Sequence, residues 1–174
     1  MKKILLICLI TLLSAATVSA ATITSTQSGN WNSGSTWDSG SVPTNADDVI
    51  IATGHTVNVI NAAGVAESVT VNNGGKLRVY KTLTVDNTSS NAGTLSINEA
   101  DGLLILSAGN FTNSGTLQIA KSRQMTMADS STLTNSGSIE ITSDSNEFGT
   151  LVLNGTYTAS GSGNVTYGRY VSGV

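Results

Sequence analysis

The chain has 174 residues, a single cysteine and a net charge of −3, which is enough for one domain and too little basic charge for the clustered face a nucleic-acid partner needs. Charged side chains make up only 11% of it. With Gly, Ser, Thr and Asn abundant and a single proline, that excludes a helical protein and reads as all-β.

Residues 1–20 have the layout of an export leader. Lys2 and Lys3 form a positive start, Ile4 to Leu13 an apolar run too short to span a bilayer, and Val18-Ser19-Ala20 a small-residue cleavage site. The cysteine, Cys8, lies inside the apolar run, and Leu6-Ile7 before it do not suit a lipid-anchor signal. Removal of the leader leaves six basic and eleven acidic side chains, a net charge of −5, with no disulfide and no membrane span. The chain is therefore expected to be exported and held together by packing and ladder hydrogen bonds alone.

The segment 21–48 has little alternation and contains Trp31, Trp37 and Pro43. A stack of strands must close its ends, since an open terminal coil exposes apolar core and unpaired backbone. This segment is read as the N-terminal cap, with the tryptophans laid over the first coil.

From Val49 the strands come regularly. They are predicted at Val49–Ile51, Thr56–Ile60, Ser68–Val71, Lys76–Val79, Leu83–Val85, Thr94–Ile97, Leu103–Leu106, Thr116–Ile119, Met125–Met127, Ser138–Ile141, Thr150–Leu153 and Asn164–Tyr167. Four stretches share one pattern, opening at Asn73, Asn91, Asn113 and Asn135, each a turn feeding a short alternating strand. The last three are in register at a spacing of 22, as are Gly93, Gly115 and Gly137. A fixed period of this size marks a repeat in which each unit buries its apolar face on the next. Two strands are read in each unit, and residues 49–174 are predicted to form a β-solenoid of about five coils, roughly 22 residues each.

The expected inward columns are Leu83/Ile105/Met127, Leu95/Leu117/Ile139 and Ile97/Ile119/Ile141. Asn91, Asn113 and Asn135 would stack as a structural amide ladder, each donating to the next. Glu99 and Lys121, and Asp101 and Arg123, also stand 22 apart, which would set opposite charges in neighbouring rungs.

Trp31, Trp37, Gly40, Val42-Pro43, Asp47-Asp48-Val49-Ile50-Ile51 and Gly54-His55-Thr56-Val57 together resemble the opening of the eight-glycine domain and related parallel β-helix modules of large bacterial surface proteins. The tail Gly163 to Gly173, with Arg169-Tyr170, is similar to the junction where such a β-helix hands over to a following domain. Many proteins of that kind leave the cell by the type IX route. The resemblance implies that residues 49–174 form a right-handed parallel β-helix, with a surface location and an adhesive or carbohydrate-binding role. It supplies no catalytic residues, and it leads to the expectation that the chain continues into further domains beyond Val174.

The chemical candidates are few. Asp38, Asn45, Asp47 and Asp48 offer oxygens for calcium, but their spacing matches no defined loop. Otherwise no cofactor is expected. His55, the only histidine, has no identifiable partner for base chemistry. Glycoside hydrolysis uses two carboxylates, and the available pairs are Glu99 with Asp101 and Asp144 with Glu147. Lys76, Arg78 and Lys81 form a short basic cluster that decorates one strand. The threonine content raises flat-face ice binding, yet steps of 22 from Thr84 reach Leu106 and Ala128, and from Thr82 reach Leu104 and Thr126, so the column fails and ice binding is not expected. Phe148, Tyr157, Tyr167 and Tyr170 cluster late and are the candidate sugar-stacking platform.

The expected function is a non-enzymatic structural or adhesin-like module that presents other domains or contacts glycans. The alternative is a fragment of a polysaccharide-active enzyme of the β-helix type.

Overall fold

The computed structural model describes residues 20–98, 101–143, 146–159 and 163–167. It is a parallel β-solenoid of about six turns, built from three sheets. Each complete coil carries three strands rather than the two expected. The first sheet stacks β1 (Ala21–Thr24), β3 (Asp47–Ile51), β6 (Ser68–Val71), β9 (Ser89–Asn91), β12 (Phe111–Asn113), β15 (Thr132–Asn135) and β18 (Thr156–Ala159). The second stacks β2 (Gly29–Asn30), β4 (Thr56–Val59), β7 (Lys76–Val79), β10 (Thr94–Ile97), β13 (Thr116–Ile119), β16 (Ser138–Ile141) and β19 (Asn164–Tyr167). The third stacks β5 (Gly64–Ala66), β8 (Thr82–Val85), β11 (Leu103–Leu106), β14 (Gln124–Met127) and β17 (Thr150–Leu153).

Most of the strands overlooked in the sequence belong to the first sheet. Ser89–Asn91, Phe111–Asn113, Thr132–Asn135 and Thr156–Ala159 are short and rich in Ser, Thr and Asn, so they read as turns. Inside the stack their backbone groups pair with neighbouring coils, and that pairing makes them strands.

Along each strand, alternate residues point into the core. Leu95, Leu117 and Ile139 pair in register and are buried, as are Ile97, Ile119 and Ile141. The third expected column needs correction: Leu83 pairs with Leu104 and Met125, while Ile105 pairs with Thr84 and Thr126 and faces outward. The cause is one residue of loop. Ile97 to Leu103 is one step longer than Ile119 to Gln124, so the third sheet advances by 21 where the second advances by 22. A slip of one residue exchanges the inward and outward sets of a strand.

The segment 21–48 contributes β1 and β2, the outermost strands of two sheets, and so forms a first, incomplete coil. Trp31 and Trp37 are both buried, their rings edge to face at 5.1 Å, and Trp37 Nε1 donates to the Trp31 carbonyl at 2.8 Å. Among the described residues no helix is long and apolar enough to cross a membrane.

Candidate functional site

The turn between the first and second sheets carries the repeat motif. Asn91 Nδ2 donates to Asn113 Oδ1 at 2.8 Å and to the Thr116 carbonyl at 2.9 Å. Asn113 Nδ2 donates to Asn135 Oδ1 at 2.8 Å and to the Ser138 carbonyl at 3.0 Å. All three asparagines are buried. The run starts abruptly: Asn91 stacks on Val71, so Asn91 Oδ1 is buried without a donor. A groove runs outside this corner, lined by Ala92, Gly93, Ser114, Gly115 and Ser138. Its floor needs glycine, since a Cβ on Gly115 would collide with the Gly93 carbonyl oxygen, and one on Gly137 with the Gly115 carbonyl oxygen.

A second polar ladder, absent from the sequence reading, decorates the outside of the second sheet. Ser96 Oγ donates to Gln118 Oε1 at 2.9 Å, and Gln118 Nε2 donates to Glu140 Oε2 at 2.9 Å. The signal for it was the same 22-residue step that exposed the asparagines.

The first sheet presents two outward rows. In one, Thr70, Ser90, Thr112, Thr134 and Thr158 follow one another in register, preceded by Thr24 and Ile50. The other contains Asp48 paired with Ser68 and Thr132 paired with Thr156. Between them, Thr88 Oγ1 accepts the Asn110 N–H at 3.2 Å and Asn110 Oδ1 accepts the Thr132 N–H at 2.9 Å. Thr82 and Thr84 lie on the third sheet, where Thr84 meets Ile105 and Thr82 meets Leu103.

The acidic candidates are dispersed. Asp38 accepts the Thr24 N–H at 3.0 Å, Asp47 Oδ2 accepts the Thr44 N–H at 2.7 Å, and Asp48 Oδ1 accepts the Ser68 hydroxyl. Asp47 and Asp48 are neighbours in β3 and so point to opposite faces. Among the described residues no three His, Cys, Asp or Glu side chains lie together. Glu99 and Asp144 fall outside the described residues, and so does the leader before Ala20.

The rung expected between Asp101 and Arg123 is also corrected. Asp101 forms its ion pair with Lys81, because the third sheet does not advance by 22. The Lys81 ammonium, by hydrogen bond and then by charge, holds that carboxyl below the usual carboxylate range, with a smaller pull from Arg123.

His55 has a partner that sequence spacing does not reveal. Its Nδ1 lies 3.0 Å from Ser25 Oγ, which accepts the Ala52 N–H at 2.9 Å. The two side chains are hydrogen-bonded, with donor and acceptor set by the imidazole tautomer. Ser25 is buried, so the pair ties the first coil to the second and offers no accessible nucleophile.

The late aromatics occupy two settings. Tyr157 pairs with Leu133, Val165 with Ile139 and Tyr167 with Ile141. They thus continue the inward columns into the last coil, where they stay 39%, 50% and 52% exposed. Phe148 is 54% exposed in the loop after Ser143, to which it is bridged. Tyr170 lies outside the described residues.

A family model described as a domain of unknown function (DUF8693) matches residues 22–171. No curated protein and no solved structure matches the chain.

Proposed function

We propose that this chain, which belongs to the DUF8693 family, is a non-enzymatic structural module of the bacterial cell surface that presents further domains and contacts glycans. The observation that carries this reading is the last coil. Its inward columns end on the half-exposed Tyr157, Val165 and Tyr167, an apolar end face on which another coil or domain can stack. Behind it runs a rod of six or so rungs, about 30 Å long at strand spacing, whose rigidity comes from contacts between neighbouring coils. The first coil, sealed by Trp31 and Trp37, acts as its N-terminal cap. Phe148, Tyr157 and Tyr167 supply aromatic faces suited to the apolar face of a sugar ring.

Two measurements test the proposal. Immunoblots of surface and culture fractions should place the protein outside the cell. A glycan array probed with the purified protein should give binding that Tyr167→Ala and Phe148→Ala weaken. Retention inside the cell, or cleavage of a polysaccharide by the purified protein, would defeat the reading.

A further inference from the structure

We propose that the outward face of the first sheet binds the surface of ice. The argument starts with a two-dimensional array. In the last three coils, Asn110, Thr112, Thr132, Thr134, Thr156 and Thr158 form two columns of three, with the buried Phe111 and Leu133 and the inward-column Tyr157 between them. Outward neighbours on one strand are two residues apart, about 6.6 Å, and successive rungs are about 4.8 Å apart. These two lengths approach the two repeats of oxygen positions on a prism face of hexagonal ice. Each threonine offers a hydroxyl to a lattice oxygen and a methyl to the hollow beside it.

The face is also held in place and matched in charge. Asn113 and Asn135 directly follow Thr112 and Thr134 on the same strands, so the amide ladder locks the rungs that carry the hydroxyls. Side-chain ladders of this kind are what keep a sheet from twisting. Asn110 is clamped on both sides by its bonds with Thr88 and Thr132. Among the outward strand positions of this sheet only Asp48 ionises, whereas the second sheet displays Lys76, Arg78 and Glu140. An uncharged lattice of water is complemented by an uncharged array and not by a charged one. One hydroxyl bond exchanged with water is worth little net, so adhesion requires many hydroxyls presented in register, as the paired strands present them here.

The test is the gap between melting and freezing points, with recrystallisation of ice, measured on the purified protein. The wild type should open a gap and arrest recrystallisation. Thr112→Tyr, which keeps strand propensity but lifts the lattice off the face, should abolish both. Thr158→Tyr, in the exposed last coil, repeats the test should Thr112→Tyr misfold, and circular dichroism monitors folding. Arg78→Tyr, on the second sheet, should retain the full effect. A folded wild type without any effect on ice, or an effect that survives in both face variants, overturns the proposal. So does retention on crystalline cellulose without any effect on ice, which would assign the face to a polysaccharide. Because the glycan array reads Phe148 and Tyr167, which lie outside this face, the two proposals fail independently.

Discussion

At the residue scale, the asparagine ladder shows how a polar side chain becomes core. An amide has two donors and an acceptor, so burial is tolerable only where every group finds a partner. Asn113 is the saturated rung, accepting from Asn91 and donating to Asn135 and to the Ser138 carbonyl. Asn91 is the imperfect one, because Val71 beneath it leaves Oδ1 unpaired. Asn113→Val should therefore cost more than Asn91→Val, since it strips a donor from Asn135 Oδ1 and an acceptor from Asn91. We expect about 2–4 kcal/mol for the first and about 1–2 for the second, taking 1–3 kcal/mol for each buried group left unpaired. Urea titration of the two variants measures the difference, and equal costs would show that the ladder is not the stabilising unit.

At the element scale, the turns between the first and second sheets decide how closely coils approach. Gly115 packs against the Gly93 backbone, and a Cβ there has nowhere to go. Gly54 is glycine for another reason: its φ is +81°, in open space. Gly115→Ala should therefore cost about 3 kcal/mol, at the upper end for overpacking, because two rungs must separate. Gly54→Ala should cost about 1–2 kcal/mol, the strain of a left-handed alanine. Thermal melts of both variants give the order, and a reversed order would mean that the turn and not the coil spacing is critical.

At the scale of the whole molecule, each coil touches only its neighbours, so stability is close to a sum of interfaces along one axis. Among the described residues the first and last coils each pair with a single neighbour, and the last is half-exposed at Tyr157, Val165 and Tyr167. Amide exchange should be slowest in β9 to β14 and fastest in β18 and β19, with intermediate protection graded between them. Uniform protection in every strand would instead indicate one all-or-none unit.

Residues 91–141 made the solenoid legible by themselves, because stacking identical coils requires the same residue type at the same step. Asn91, Gly93 and Ile97 repeat at 22 for that reason, and period-two alternation then separated Leu95 and Ile97 from their outward neighbours. The later strands of the first sheet, β9, β12, β15 and β18, were hidden because Ser, Thr and Asn in a short segment favour turns locally, and only pairing with neighbouring coils converts them to strands. The single extra residue between Ile97 and Leu103 was equally silent, yet it turned Ile105 outward, brought Leu104 in and redirected Asp101 to Lys81. Local periodicity thus determined that the chain coils and which turns repeat. Register across coils is a long-range property set by loop length and backbone pairing, and the tertiary structure alone decided which hydroxyls share a face.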